Sequence, residues 1–244
     1  MAHFRQIFRA SYFLKNSCRY TSSIPHNVAE VVGTSHYLKY NYTVKEKLIN
    51  LGLSNDIALK IASKPEFSTL NDKILDAPFE ILGKCQFGSQ SLTELIETHP
   101  LILLVDSKRL EKTCINLLSV FKKKYAYEIL LKSPEVLNEN WDSVCDKLKY
   151  LQEDMGVSNL DIVRHGILKH SLDQIKMRHE LLKRTGKYKK LSPKLKLSDK
   201  HKLNPVINKV LNSPAEYFCT KVAEISELEF QVFQQLYNES EDSP

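Results

Sequence analysis

An all-α, helical-repeat solenoid of the superhelical type is predicted by three features of this 244-residue sequence. Pro65, Pro100 and Pro134 recur 35 and 34 residues apart, each within a similar aliphatic run. A second marker, Leu51-Gly-Leu-Ser54, returns three periods later as Met155-Gly-Val-Ser158. The low counts of 7 Gly and 9 Pro disfavour a fold with many tight turns, and no alternating run indicates a strand. A helical unit of this size cannot bury its apolar face alone, so about four to five degenerate units of about 35 residues should stack.

The first 20 residues form a basic, amphipathic start without any acidic residue. The basic residues are Arg5, Arg9, Lys15 and Arg19, and the apolar ones that recur at helical spacing are Phe4, Ile7, Phe8 and Leu14. This pattern is typical of a mitochondrial transit peptide and predicts the mitochondrial matrix, although an ordinary basic arm is the alternative. We expect a flexible lead-in over 21–40, the helical domain over 41–238, and a short acidic tail over 239–244.

Helix starts and ends are indicated along the body. Four segments fit a capping pattern, in which a side chain accepts from the first free N–H groups: Thr43-x-x-Glu46, Ser91-x-x-Glu94, Ser158-x-x-Asp161 and Ser226-x-x-Glu229. Glycines are expected just after helix ends, at Gly52, Gly156 and Gly186. The repeated proline should break each unit between a first and a second helix, because it lacks an N–H.

A basic block follows the repeats. Residues 164–210 carry 14 basic and 3 acidic residues, a net +11, although the whole chain is only +6. Fixed positive charge attracts phosphates, and an aromatic ring between lysines stacks on bases, so the block and its loop over 186–205 predict a nucleic-acid surface. A solvated, lysine-rich face is the alternative. The candidate residues are Arg164, Lys169, Lys176, Arg178, Lys183, Arg184, Lys187, Tyr188, Lys189 and Lys190.

The run Lys122-Lys123-Lys124 is a weaker candidate for the same surface. Its alternative is a solvated helix end whose charges favour the helix macrodipole.

No pattern in the sequence indicates catalysis, a cofactor or a metal. Neither a G-x-G-x-x-G nor a G-x-x-x-x-G-K-[ST] loop occurs, and the five cysteines are too far apart for a C-x-x-C zinc site. Ser158, Asp161 and His165 imitate a triad, but capping explains the first two. His165, His170 and His179 lack ligand partners at metal spacing. No apolar run approaches the ~20 residues of a membrane span.

The last helices, over 205–238, should cap the solenoid and leave one face for a protein partner. At helical spacing, Leu228, Val232 and Leu236 fall on one line, and Phe230, Phe233 and Tyr237 on another. We assign the aliphatic line to the core. Because exposed aromatic side chains mark interfaces, we assign the partner surface to the aromatic residues Tyr217, Phe218, Phe230, Phe233 and Tyr237.

The repeat markers, together with Ser171-Leu-Asp-Gln-Ile-Lys176-Met-Arg178-His-Glu-Leu-Leu182, resemble the mitochondrial transcription termination factor (mTERF) family over about residues 40–238. Tetratricopeptide units share the period, but they need more small residues than the nine Ala of this chain. Three segments are similar to the fourth metazoan branch of the mTERF family: Ile175–His179, Gly186–Tyr188 and Glu229–Phe233.

The resemblance implies a non-catalytic protein without a cofactor that binds mitochondrial rRNA. It also implies that a NOP2/Sun-type rRNA cytosine-5 methyltransferase partner is delivered to the assembling large mitoribosomal subunit. Two alternatives stay open: a regulator of transcription that binds mitochondrial double-stranded DNA, and a helical scaffold that binds only proteins. The short tail of this chain departs from the long acidic tail of that branch.

Overall fold

The computed structural model describes residues 40–70, 72–191 and 203–241, and within these residues the chain is helical without strands. The first six helices are α1 Tyr42–Asn50, α2 Asn55–Ala62, α3 Asp72–Lys84, α4 Ser89–Thr98, α5 Ser107–Val120 and α6 Lys123–Lys132. The next six are α7 Trp141–Lys149, α8 Asn159–Arg164, α9 Leu172–Arg184, α10 Ile207–Leu211, α11 Ala215–Tyr217 and α12 Glu227–Glu241. Two of these helices continue as π-helical turns, α7 over Tyr150–Asp154 and α11 over Phe218–Ala223.

Several predicted segments lie outside the described residues. These are the transit peptide (1–20), the lead-in up to residue 39, residues 192–202 of the basic loop, and 242–244 of the tail. None of the helices of the described ranges is both long enough and apolar enough to cross a membrane.

The predicted repeat is confirmed, and each unit consists of two helices followed by a 3₁₀ turn. The turns are Pro65–Phe67, Pro100–Leu104, Pro134–Leu137 and Ile167–Lys169. The prediction that the proline separates the two helices of a unit is wrong. Each proline is the first residue of the turn after the second helix, where its missing N–H leaves no bond unmade. The fourth turn has no proline and follows Gly166, whose φ is +60°.

The predicted caps are partly confirmed. Ser158 and Ser226 accept from Asp161 N (3.1 Å) and Glu229 N (3.2 Å), and the Glu229 carboxylate accepts in return from Ser226 N. Thr43 and Ser91 are not caps, because both lie inside helices. Asn41 caps α1 by accepting from Val44 N, and α4 begins after Gly88. The glycines predicted at helix ends, Gly52, Gly156 and Gly186, all have positive φ.

Polar side chains hydrogen-bond to backbone carbonyls that are distant in the sequence, both within a unit and between neighbouring units. Asn41 Nδ2 donates to Phe67 O (2.9 Å), and His99 Nε2 contacts Leu131 O (2.7 Å). The fully buried Lys147 donates to Leu168 O (2.8 Å) and forms an ion pair with Glu139 (2.6 Å). These bonds satisfy carbonyls at helix and turn ends that have no partner within their own helix. The Lys147 bond ties α7 to the turn between α8 and α9, next to the candidate site, and the apolar core is continuous with the rest of the domain.

Candidate nucleic-acid interface

The basic block extends from the end of α8 through α9 into the loop that follows. Its members differ in access to solvent. The exposed ones are Arg164, Lys183, Arg184, Lys189 and Lys190, and the half-buried ones are Lys169, Lys176 and Lys187. These eight side chains remain available to a polyanion, whereas the other two candidates do not.

Arg178 does not belong to the interface. Its side chain is only 6% exposed, and Nη1 donates to Val210 O (2.7 Å), Leu211 O (3.3 Å) and Ser213 O (3.1 Å). The guanidinium also lies 4.5 Å from the Phe218 ring centroid, and burial lowers its pKa. A cation at the carboxyl end of a helix satisfies carbonyls and complements the dipole, so Arg178 holds the end of α10. The prediction that it contacts nucleic acid is therefore wrong.

Tyr188 does not present its ring to a base either. It is 8% exposed, and its hydroxyl donates to Met155 O at 2.7 Å. Its ring packs edge-on against His179, with centroids 4.7 Å apart. The ring is buried because the long tyrosine side chain reaches back to the preceding unit, where its hydroxyl satisfies a backbone carbonyl. The prediction that Tyr188 stacks on a base is wrong.

Acidic side chains balance part of the remaining positive charge. Glu180 accepts from Lys183 Nζ (2.7 Å) and Arg184 Nε (3.0 Å), and these two bonds lower the pKa of its carboxyl group. Lys187 forms an ion pair with Glu224. Exposed pairs of this kind are weak and screened by salt, so a phosphate can compete for the lysines.

The run Lys122-Lys123-Lys124 is exposed and lies at the start of α6, so the alternative of a helix end whose charges favour the macrodipole does not hold for that helix. Lys122 is the N-cap of α6, and the other two lie in its first turn. Cations there oppose the helix dipole instead of complementing it. Lys123 Nζ donates to Gln86 Oε1 (3.0 Å). The run therefore destabilises its own helix slightly and adds positive potential where backbone N–H groups already point outward.

The residues that resemble a catalytic triad, Ser158, Asp161 and His165, lie at the two ends of α8, and the first two form its N-terminal cap. Ser158 Oγ accepts from Asp161 N and donates to Asp161 Oδ2 (2.7 Å), whereas His165 ends α8 with its backbone N–H on Asp161 O. His170 lies between two amides, with Nε2 2.7 Å from Asn212 Oδ1. Among the described residues, no group of three or more His, Cys, Asp or Glu side chains forms a metal site.

The C-terminal assignment of core and surface is reversed in the structure. Phe218, Phe230 and Phe233 are 0%, 4% and 9% exposed, so the prediction that they form the partner surface is wrong. The aliphatic residues assigned to the core are the exposed ones: Leu228 is 69%, Val232 47% and Leu236 57% exposed. Of the other two aromatic candidates, Tyr217 is exposed and Tyr237 is half-buried against the core.

The reason for the reversal is the packing of α12 on α9 and on the π-helical turn after α11. Phe218 and Phe230 meet edge-on with centroids 5.6 Å apart, and the Arg184 guanidinium lies 5.4 Å from the Phe233 centroid. The larger aromatic rings bury more apolar area than the aliphatic line would, which favours this face of the helix inward. We call Leu228, Val232 and Leu236 the aliphatic stripe.

The region also contains a cleft that the sequence did not predict. A cleft of about 450 Å³ lies between the π-helical turn after α7 and the end of α9. We call it the aromatic cleft, and its lining residues are Tyr150, Asp154, His179, Lys183, Tyr188 and Lys190. The sequence signalled only the part of the cleft that α9 and the loop supply, because Tyr150 and Asp154 come from a helix of the preceding unit.

Hydrogen bonds and burial fix the charge state of the cleft. Tyr150 Oη lies 2.8 Å from His179 Nδ1, and the two rings meet edge-on with centroids 5.6 Å apart. Burial, with a smaller effect of Lys183, lowers the pKa of His179 to about 4. Burial also raises the pKa of Tyr150 to about 12. At neutral pH the imidazole is therefore uncharged, Tyr150 keeps its proton, and the aromatic wall is neutral.

Comparison with known proteins decides the family. The mTERF family model matches residues 18–203, about three quarters of the chain. The chain belongs to the mTERF family. The mTERF match begins earlier than the resemblance predicted and ends before α10–α12. The predicted helical-repeat class is therefore confirmed by both the family and the helices described above.

A curated relative of this mTERF chain agrees with the predicted branch. It is mouse (Mus musculus) "Transcription termination factor 4, mitochondrial", which is 26% identical over 199 residues. The alignment covers 80% of this chain but 57% of the relative, so the chain matches little more than half of that protein's length. The mTERF family as a whole binds nucleic acids, which agrees with the exposed basic residues around α8 and α9.

Proposed function

We propose that this mTERF chain is a non-catalytic, mitochondrial rRNA-binding protein. It acts in large-subunit ribosome assembly by delivering an rRNA cytosine-5 methyltransferase of the NOP2/Sun type. The observation that carries the proposal is the set of exposed cations on α8, α9 and the loop after α9, within a protein of a nucleic-acid-binding family. The basic, acid-free residues 1–20 and the printed name of the mouse relative support import into mitochondria, and we propose the matrix.

The RNA surface is tested by exchanging four exposed cations that have no part in the core or the aromatic cleft. The variant replaces Lys122, Lys124, Arg164 and Lys189 by Gln. Each lost phosphate contact should lower the slope of log K against log salt by about 0.7 for single-stranded RNA. The measurement is fluorescence anisotropy with single-stranded rRNA fragments over a range of salt concentrations.

The matched control carries the same loss of three Lys and one Arg at other exposed positions. It replaces Lys60, Lys108, Arg109 and Lys112 by Gln. We expect the control to keep the wild-type slope. Equal slopes for both variants would mean that the effect is one of net charge alone and that the proposed surface is wrong.

The methyltransferase requires a docking surface beside the RNA surface. Residues 211–244 have a net charge of −6, which disfavours RNA, and the exposed aliphatic stripe on α12 supplies apolar contacts. We propose that the methyltransferase docks on this stripe and on the exposed Tyr217, and not on the buried aromatic residues. Tyr237, which is half-buried, remains a partner residue in this proposal.

Docking is tested by co-purification with a NOP2/Sun-type methyltransferase. Replacing Leu228, Val232 and Leu236 by Ser should abolish co-purification and leave the helical content unchanged. The matched control replaces Ile74, Ile115 and Val120, exposed aliphatic residues of α3 and α5, by Ser. Retention of the enzyme by the stripe variant would contradict the proposal.

The second candidate is regulation of mitochondrial transcription through double-stranded DNA, which the name of the mouse relative favours. Competition between unlabelled rRNA fragments and mitochondrial promoter or terminator duplexes separates the two candidates. Displacement by the duplex at lower concentration than by RNA would favour transcription.

A further inference from the structure

We propose that the aromatic cleft binds a single unpaired nucleotide, with its base against Tyr150 and its phosphate at Lys183 and Lys190. The inference rests on the proposed RNA-binding function and deepens it. It assigns a pocket to one nucleotide, whereas the exposed cations on α8 and α9 attract the strand as a whole.

The cleft combines a neutral aromatic wall with a charged rim. His179 and Tyr188 are buried and pack edge-on, whereas Tyr150 is half-buried and is the ring with the greatest access from the cleft. A base gains from contact with such a ring because every base has a π-face. Since the imidazole is uncharged at neutral pH, no cation of the wall repels an approaching amino group of a base.

The rim of the cleft carries charges of both signs. Lys183 and Lys190 supply two ammonium groups, and Asp154 supplies one carboxylate. All three side chains are exposed. Ammonium groups match a phosphate, and a carboxylate accepts from the exocyclic amino group of adenine, guanine or cytosine. A ligand with an anionic end and a planar, amino-bearing end fits this order of groups, and a nucleotide has both.

The backbone on one side of the cleft is a π-helical turn. Tyr150 and Asp154 are the first and last residues of the π-helical turn, and both line the cleft. Single π-helical turns within α-helices occur frequently at functional sites. The volume of about 450 Å³ lies within the range of roughly 300–1,000 Å³ that is usual for small-ligand pockets.

The test uses the full chain and short single-stranded RNA that contains one 2-aminopurine. Tyr150→Leu should lower the affinity about fivefold or more and remove the fluorescence change of the base, because a stacked base is lost. Tyr150→Phe keeps the ring and should keep both. Lys190→Gln should lower the salt slope by about 0.7, whereas Tyr150→Leu should leave the slope unchanged.

The matched control is Tyr127→Leu. Tyr127 is a half-buried tyrosine of α6 whose hydroxyl bonds to Glu94, and it lies outside the cleft. Equal losses for Tyr127→Leu and Tyr150→Leu, or wild-type affinity for Tyr150→Leu, would overturn the cleft proposal. In either case, wild-type protein that still binds RNA with a steep salt slope would leave the proposed function intact.

A second measurement decides the matter if Tyr150→Leu lowers the melting temperature. Wild-type protein is crosslinked by ultraviolet light to RNA that contains 6-thioguanosine, which keeps an exocyclic amino group, and the crosslinked peptides are identified by mass spectrometry. Crosslinks to Tyr150, His179 or the Lys183–Lys190 segment support the cleft. Crosslinks confined to other surfaces overturn it, and a chain without any RNA crosslink overturns the proposed function as well.

Discussion

Arg178 carries a positive charge into the interior of the chain, although its neighbour Lys176 on the same helix stays half-exposed. The charge is tolerated because three carbonyls at the end of α10 accept from one guanidinium nitrogen. Nε is buried without a partner, which is a remaining cost. A basic residue in a basic block thus serves the fold, and only its contacts distinguish it from its neighbours.

Arg178→Gln should lower the free energy of unfolding by about 2 kcal/mol or more, because the α10 carbonyls lose their donor. Thermal unfolding followed by circular dichroism measures the change. Lys176→Gln on the same helix is the control and should unfold close to the wild-type temperature. Equal melting temperatures for the two variants would mean that the Arg178 hydrogen bonds do not stabilise the fold.

His179 gives the stability a pH dependence. Its pKa is lowered to about 4 in the folded chain, so between about pH 6.5 and 4 the unfolded state binds more protons than the folded state. Stability therefore falls as the pH falls through this window. Burial lowers the pKa of His170 as well, so His170 acts in the same direction.

Between pH 7 and pH 5 we expect the free energy of unfolding to fall by about 2 kcal/mol through His179. Urea unfolding at the two pH values measures the fall. The variant His179→Gln should show a smaller difference between the two values. A variant with an undiminished difference would assign the pH dependence to other groups.

Gly166 combines a left-handed conformation with a close contact. Its φ is +60°, and a Cβ atom built there would lie 2.9 Å from Lys132 O. Gly156 has a similar φ of +67° but nothing within 4 Å, so it is a control for backbone strain alone. We expect Gly156→Ala to cost about 1 kcal/mol and Gly166→Ala clearly more, as measured by urea unfolding. Equal costs would show that the backbone of α6 moves away without penalty.

At the scale of elements, α12 shows how packing chooses between two apolar lines of one helix. Both lines repeat at helical spacing, and hydrophobic periodicity alone cannot rank them. The choice is made by Phe218 and by the Arg184 side chain, which supply an aromatic and a cationic partner for Phe230 and Phe233. The aliphatic stripe therefore faces away from the core.

Phe230→Ala should destabilise the chain by about 3 kcal/mol or more, because it leaves a cavity beside Phe218. Leu228→Ala is the control, because Leu228 lies on the same helix but is 69% exposed. This change should alter the free energy of unfolding by less than about 0.5 kcal/mol. Chemical denaturation of both variants measures the difference. The reverse order would restore the aliphatic line to the core.

At the scale of the whole molecule, positive charge is concentrated in two segments of the sequence, one before the helical domain and one in its C-terminal part. Residues 1–20 have a net +4, residues 164–210 a net +11, and residues 21–163 a net −3. The first segment fits import and the second fits polyanion binding.

Deleting residues 1–20 should leave the protein in the cytosol, since the basic amphipathic segment is the proposed targeting signal. Subcellular fractionation or a fluorescent fusion measures the location. Replacing Arg5, Arg9, Lys15 and Arg19 by Gln should have the same effect without changing the length. Normal import of either protein would place the signal elsewhere in the chain.

The sequence by itself determined the repeat, its period, the glycines at the helix ends and the caps at Ser158 and Ser226. All of these depend on local backbone geometry, which a few adjacent residues specify. It also identified the basic block, because charge density needs no knowledge of contacts. The mTERF family followed from the same local markers.

Only the tertiary structure decided which members of these patterns are surface and which are interior. Arg178 and Tyr188 are interior because they donate hydrogen bonds to backbone carbonyls more than 30 residues away in the sequence. The aromatic cleft joins a π-helical turn of one unit to the end of α9 in the next. The two lines of α12 were ranked by partners on α9 and beyond α11. Such contacts depend on how units pack against one another, and sequence periodicity carries no information about that register.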